Sequence, residues 1–313
     1  MRYGGRPESG IYGLMLTRPV LYCPQCKRAL VRRNDNLLCP SCSRTYPVIN
    51  GIPSFVDRNA VVDSFDASAF GFLFEVEQRH FWHVGRREII LDVLRKNVPH
   101  LSALKMLEIG CGNGSVLAHL KQNGVDIEGG DIFLEALKFS QQRVGSVNLY
   151  HLDVLALPFI DSFDIIGLFD VLEHIDEDER ALREIGQALK SGGMLILTVP
   201  ANKFLWGYFD AHSYHKRRYS KRELAAKLER NGFIIKKLTF FMFFLFPLLA
   251  AIRMAGNILH GAGGGGKGRA HLEERNVPII NDFFLGILGL EKWLLRYFTL
   301  PFGASLLVLA QKK

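Results

Sequence analysis

Three groups of residues have types and spacings that can do chemistry. The first is LEIGCGNG, Leu107 to Gly114, with glycines at Gly110, Gly112 and Gly114. Glycines in such a turn permit positive φ and let a ligand approach the backbone closely. Ser115 is placed to cap the helix expected next, and it stands where the dinucleotide fingerprint GxGxxG needs its last glycine. The register GxGxG therefore points to a nucleoside site of another kind. Asp131 and Asp153 follow at the intervals of an α/β sheet, and a carboxylate that accepts two hydrogen bonds suits a ribose diol.

The second group can move protons. DVLEH supplies Asp170, Glu173 and His174, and the unperturbed pKa of a histidine near neutrality suits a general base. DAHSYHKRRYS, Asp210 to Ser220, adds Asp210, His212, His215, Arg218 and Tyr219. Two readings stay open for each segment: acceptor-binding chemistry, or helix capping and loop order in DVLEH and an exposed basic loop in the other. The third group is Cys23-Pro-Gln-Cys26 and Cys39-Pro-Ser-Cys42, two knuckles twelve residues apart. Each can turn two thiolates toward one ion, so Cys23, Cys26, Cys39 and Cys42 read as a structural zinc site, with disulfides or an unmetallated ribbon as alternatives.

The elements that must position these groups are legible in outline. Leu107 to Ile109 is apolar enough for a buried strand, DIEGGDI ends a second at Asp131, and FDIIGLF leads into DVLEH at the carboxyl edge of the sheet, where open α/β sheets bind ligands. SGGMLILTVP, Ser191 to Pro200, reads as a glycine turn and a strand, and ASLLVLAQ, Ala304 to Gln311, as the last strand. Ser220 with Glu223 predicts a capping box for a helix ending near Asn231 and Gly232. Residues 70–97 turn helical, and Phe81, Trp82, Arg86 and Arg87 either close over the site or pack an aromatic face on the sheet with the arginines in solvent.

These motifs together resemble the class I S-adenosylmethionine-dependent methyltransferases, from roughly Glu75 to the C-terminus. The resemblance implies a Rossmann-like seven-stranded α/β sheet with S-adenosylmethionine as methyl donor. It assigns Glu108 to the amino group of the donor, Asp131 to the ribose hydroxyls and Asp153 to the adenine amino group, with Val154 and Leu155 as walls. Gly110, Gly112, Gly114, Ile132 and Phe169 complete the implied cofactor site. The DVLEH segment resembles that of the ubiquinone-pathway O-methyltransferases, which implies Asp170, Glu173 and His174 near the acceptor and a divalent metal, Mg²⁺, beside them; glutamate is usual where Asp170 stands. The four-cysteine segment with YPVINGIPSFV, Tyr46 to Val56, resembles the Trm112-like zinc ribbons.

The chain has 313 residues and a formal charge of 39 − 31 = +8. That permits an anionic partner, RNA or a lipid surface, although solvated lysine faces explain such a charge equally. Met1 to Gly10 is polar with no apolar leader core, so a cytoplasmic catalytic domain is expected. Cys111 lies inside the glycine turn and is expected to be unreactive. The implied organisation is a disordered stretch over 1–18, the ribbon over 19–57, a linker and helices over 58–100, the catalytic sheet over 101–240 and 301–313, and an apolar helical insert over 241–300 placed before the last strand. The apolar run Leu238 to Ile252 contains Pro247 and is shorter than the about twenty residues a membrane-spanning helix needs. Interfacial contact at the inner membrane face, burial against the domain, and homodimerisation each explain it. The leading expectation is methylation of oxygen or carbon on a small apolar or lipid-linked acceptor, with His174, Glu173, Asp170, His215 and His212 as catalytic candidates. RNA methylation, suggested by similar ribbons in rRNA guanine methyltransferases, is the alternative; Asp170-Val171-Leu172 stands where those enzymes' asparagine-proline pair is expected. A cofactor-binding scaffold without catalysis is the third.

Overall fold

The computed structural model describes residues 19–56, 70–260 and 278–313. The expected disordered N-terminus, the polar linker before residue 70 and the glycine-rich stretch Gly261 to Gly268 within the insert fall outside the described residues. The first unit is a four-stranded antiparallel ribbon of β1 (Val31–Arg33), β2 (Asn36–Leu38), β3 (Thr45–Ile49) and β4 (Ile52–Pro53), in that order. Its two knuckles are built alike. The Lys27 N–H donates to the Cys23 carbonyl at 2.8 Å and the Ser43 N–H to the Cys39 carbonyl at 3.0 Å, with Lys27 and Ser43 both at positive φ. The ribbon is joined to the larger domain: the Phe55 N–H donates to the His151 carbonyl at 2.8 Å, the Tyr22 N–H to the Pro158 carbonyl at 2.9 Å, and Lys27 pairs with Glu184 at 2.8 Å.

The larger domain is a seven-stranded sheet ordered β10-β11-β9-β8-β5-β6-β7. Its strands are β5 (Lys105–Ile109), β6 (Asp126–Asp131), β7 (Leu149–His151), β8 (Phe163–Phe169), β9 (Leu189–Pro200), β10 (Phe233–Phe241) and β11 (Ser305–Lys312). All neighbours pair in parallel except β11, which runs antiparallel to β9 and β10. Buried on both faces, the central strands are almost continuously apolar, as parallel strands between helices must be. The strand order reverses between β5 and β8, and that switch point opens a crevice at their carboxyl ends.

Helices α1 (Phe70–Arg79), α2 (Phe81–Asn97), α3 (Ser115–Gln122), α4 (Leu134–Val144), α5 (Asp178–Ala188), α6 (Tyr208–His212) and α7 (Lys221–Arg230) surround the sheet. Ser220 caps α7 as expected, its hydroxyl accepting from the Glu223 N–H at 3.2 Å. Ser115 does not cap α3. Gly114, at φ 77°, is the N-cap, Ser115 is the first helical residue, and its hydroxyl faces Arg87 instead. Of the apolar run from Leu238, the residues Leu238 to Phe241 belong to β10, Met242 turns the chain at φ 60°, and α8 (Phe246–His260) begins after it, within the bounds expected for the insert. Pro247 fits the first turn of α8, where no helical donor is lost.

The second insert helix, α9 (Pro278–Leu295), packs along α2. A Cβ added at Gly85 would stand 2.3 Å from Leu288, so this glycine is what lets the two helices approach. Asn281 ties α9 to the gap between α1 and α2, accepting from the Phe81 N–H at 2.6 Å and donating to the Arg79 carbonyl at 3.0 Å. Burial against the domain therefore accounts for one face of the insert. Among the described residues, no helix is long and apolar enough to cross a membrane.

Candidate active site

The glycine turn leaves β5 with Gly110, Gly112 and Gly114 at φ of 72°, 52° and 77°. The conformation is compulsory at Gly110, where an added Cβ would lie 2.3 Å from Val171. Asp131 ends β6 beneath this turn, accepting from the Gly112 N–H on Oδ2 and from the Phe133 N–H on Oδ1, both at 2.8 Å. Burial pushes its carboxyl up to about 6, against the lowering effect of the Phe133, Gly112 and Ile132 N–H groups. Glu108 is buried in β5, and its Oε2 has no hydrogen-bond partner. Burial holds this carboxyl well above its usual range, with Arg86 pulling the other way. A buried carboxylate oxygen without a donor fits the ammonium of an amino acid moiety. Asp153 closes a single helical turn over Val154–Ala156 by accepting from the Leu155 N–H at 2.9 Å. Ile132 is held by its carbonyl, 3.0 Å from His151 Nε2, and Phe169 lies buried at the end of β8. The candidate cofactor residues thus share one edge of the sheet. The Cys111 thiol is buried there and pushed well up, first by burial and then by Asp131 and Glu108, as befits an unreactive side chain.

Beyond Asp170 lies a cavity of about 460 Å³. Its walls are apolar and come largely from α2 and the insert, with Phe81, Trp82, Leu245, Leu249 and Phe284 among them. Trp82 stacks flat on Phe241 at 5.7 Å between ring centres. One end is polar and carries Arg86, Asp170, Glu173, His174, His215 and Arg218. DVLEH and the histidine loop, far apart in sequence, meet here: the His174 and His215 rings stand edge to face at 4.8 Å, and His215 Nε2 is 3.9 Å from Glu173. Asp210 accepts from His215 Nδ1 at 2.9 Å, so that Nε2 is the nitrogen turned toward Glu173. Burial pushes His174 down to about 4, reinforced by His215, and its ring is neutral at ordinary pH. Glu173 is fully buried with both oxygens lacking hydrogen-bond partners, and burial followed by Asp170 pushes its carboxyl well up.

Of the expected catalytic residues, Asp170, Glu173, His174 and His215 line the cavity. His212 ends α6 on the exposed side and is not in the lining. Asp170, at φ 58°, pairs with Arg86, so Arg86 closes over the site rather than meeting solvent. Arg87 points away, donating to the Glu77 carbonyl at 3.2 Å. Glu173, His174 and His215 lie within reach of a common ion, but two imidazoles and one carboxylate do not suit Mg²⁺, which takes oxygen ligands. With Asp170 engaged by Arg86, the residues present do not fit the expected Mg²⁺ site. Two participants were not marked by sequence: His80, whose helix-junction position hides its burial, and Arg253, which reads as a flanking cation of an apolar run.

In the ribbon, the Sγ atoms of Cys23, Cys26, Cys39 and Cys42 lie within 4.8 Å of one another. The Cys26–Cys39 and Cys23–Cys42 separations are 3.4 and 3.7 Å. A tetrahedral site with bonds of about 2.3 Å has edges of about 3.8 Å, so the thiols match that geometry.

Residues 107–197, from the glycine turn through β9, match the family described as a methyltransferase domain. That segment of the chain is therefore similar to methyltransferase domains. It is 30% identical over 125 residues to the mitochondrial ubiquinone biosynthesis O-methyltransferase of Candida albicans, covering 36% of this chain and 38% of that one. It is 24% identical over 193 residues to the malonyl-[acyl-carrier protein] O-methyltransferase of Enterobacter lignolyticus, covering 59% and 74%. The first two curated relatives that the chain matches are spanned over only 62% and 38% of their own length. In fold, this chain is similar to a chain in the complex between the Trm112 methyltransferase activator of Haloferax volcanii and a methyltransferase, with a TM-score of 0.52, 18% identity, and coverage of 81% and 97%.

Proposed function

We propose that this protein is an S-adenosylmethionine-dependent methyltransferase that methylates a hydroxyl oxygen of a small apolar or lipid-linked acceptor held in the 460 Å³ cavity. The observation that carries the reading is the combination of apolar insert walls with the Asp210–His215 pair at the polar end. Bound S-adenosylmethionine supplies an electrophilic methyl on a sulfonium, and transfer is an in-line displacement in which the protein mainly aligns the reactants. Glu108 receives the amino group of the donor, Asp131 its ribose and the turn at Asp153 its adenine. His215 Nε2 takes the proton of the acceptor hydroxyl, a step worth about 10² to 10⁴ in rate for a well-placed base. Glu173, kept protonated by burial, donates to an acceptor oxygen, and the neutral His174 packs His215 in place. The relatives named as O-methyltransferases favour oxygen over carbon. RNA fits this cavity poorly, because its bases and phosphates would meet aliphatic walls.

The mouth of the cavity extends the reading to a lipid surface. Leu248 and Ile252 line the cavity while being 50% and 49% exposed, so the apolar interior is continuous with the outer face of α8. Twelve of the eighteen exposed large apolar side chains among the described residues lie between positions 241 and 302. Such a concentration marks an interaction surface, and its continuity with the cavity favours a bilayer from which the acceptor enters, with the protein peripheral to it. In the ribbon, we assign zinc to the four cysteines in a closed, structural role. Filling the cavity with Leu249→Trp should abolish methyl transfer to an extracted apolar fraction and leave donor affinity unchanged. Undiminished transfer would show that the acceptor binds elsewhere.

A further inference from the structure

At the polar end of the cavity the insert contributes a buried arginine. Arg253 of α8 directs Nη1 to Asp210 Oδ2 at 3.3 Å and to the Leu205 carbonyl at 3.4 Å, with its guanidinium over the Phe209 ring at 5.0 Å. Asp210 is fully buried and divides its donors between its two oxygens. Oδ2 takes the Gly207 N–H at 3.1 Å and Arg253; Oδ1 takes Arg218 Nε at 2.7 Å and His215 Nδ1 at 2.9 Å. Arg218 is itself pinned to the Ala201 carbonyl at 3.0 Å, at the end of β9. The carboxylate is thus clamped between the sheet and the insert, and His215 hangs from the clamp. Despite strong burial, the His215 and Arg218 contacts, with Arg253 behind them, keep this carboxyl below its ordinary range.

We propose that Asp210 and Arg253 are positioning residues that arm His215, so that the base is correctly aimed only when α8 of the insert is seated on the domain. The inference rests on the reading of His215 as the base. During transfer the acceptor O–H bond breaks toward His215 Nε2 while Nδ1–H stays on Asp210, whose charge offsets the imidazolium. The new O–CH₃ bond forms as the S–CH₃ bond breaks, and sulfur leaves with the electron pair. Removing Arg253 leaves Oδ2 with the Gly207 N–H alone, frees the carboxylate to rotate, and lets the imidazole swing out of line. Orientation of this kind matters because small misplacements of a reacting group carry large rate penalties.

The test uses the full chain, Arg253→Met, Arg253→Lys and Asp210→Asn, with donor affinity and melting temperature as controls for folding. Two acceptor probes, para-decylphenol and its ortho-nitro derivative, assayed at mildly alkaline pH, differ in their need for a base, because there the nitrophenol is already ionised and the unsubstituted phenol is not. Arg253→Met should slow turnover of para-decylphenol about tenfold or more, and of the nitro derivative less than about threefold. Arg253→Lys should recover much of the loss. In nitrogen-15 spectra the hydrogen-bonded Nδ1 proton of His215 should appear far downfield in the parent, vanish in Asp210→Asn and Arg253→Met, and return in Arg253→Lys. Equal losses on both phenols, or an unchanged Nδ1 signal in Arg253→Met, would overturn the proposal. If the parent methylates neither phenol while the Nδ1 signals behave as stated, the clamp stands and the hydroxyl reading of the acceptor falls.

Discussion

Acidification should weaken donor binding through Asp131. Burial pushes this carboxyl up to about 6, whereas the ribose hydroxyls of the donor need an ionised acceptor, since both Asp131 oxygens already receive one N–H each. A proton therefore competes with the ligand. Above about pH 7 nearly all of the sites are ionised and affinity is flat; below about 6 it falls close to tenfold per unit, or about 1.4 kcal/mol. At about pH 5 the dissociation constant should be roughly ten times its plateau value. Glu108, whose carboxyl burial also pushes up, adds to the same direction, because an ammonium favours its ionised form. Calorimetric titration with S-adenosylmethionine across this range, in the parent and in Asp131→Asn, isolates the Asp131 contribution. The variant should bind more weakly at neutral pH, by roughly 2 kcal/mol for lost charged hydrogen bonds, and should lose the leg centred near 6. An affinity that is flat between about pH 5 and 7, or that rises on acidification, would refute the assignment of Asp131 to the ribose.

Gly110→Ala should cost at least about 2 kcal/mol and eliminate donor binding, since it adds left-handed strain to a Cβ 2.3 Å from Val171; chemical denaturation and calorimetry check both effects, and a well-folded variant with normal affinity would contradict them. Glu291 of α9 accepts from the Phe243 and Phe244 N–H groups, and burial pushes it up to about 7 from 4.5. Its folded pKa is raised, so its contribution is complete below the unfolded value and is lost as pH rises through about 7. Glu291→Gln should therefore match the parent near pH 4.5 and exceed it by up to roughly 3 kcal/mol near pH 8, read from urea melts; a gap that does not vary with pH would refute this. Stripping the zinc assigned to the ribbon should lower the melting temperature and weaken donor binding by about 1 kcal/mol, because Ser54 of the ribbon bonds His151 at 2.7 Å and His151 holds the Ile132 carbonyl. Unchanged affinity after chelation, with loss of metal verified, would disconnect the ribbon from the cofactor site.

Where local residues determine local geometry, the site was legible in advance. Gly110, Gly112 and Gly114 are needed where they stand because the turn demands positive φ, and Asp131 ends the next strand, one helix after that turn. The cysteine knuckles are equally local. What sequence left undecided are contacts between distant segments. DVLEH read as chemistry or capping and the histidine loop as chemistry or an exposed basic loop, and neither segment announces that the fold sets His174 against His215. Arg253 looked like a flanking cation, since nothing in its own stretch announces a carboxylate 43 residues earlier. Ser115 was misplaced by one helical position because a positive-φ glycine displaced the side-chain cap.

The most direct test is methyl transfer itself. Radiolabelled S-adenosylmethionine is incubated with the full chain and with His215→Ala, alongside separated lipid, RNA and small-molecule fractions of the source cell. Label entering a solvent-extractable apolar product as an O-methyl group, and falling by about 10² or more in the variant, is the predicted result. Label confined to RNA, or transfer indifferent to His215, would contradict it.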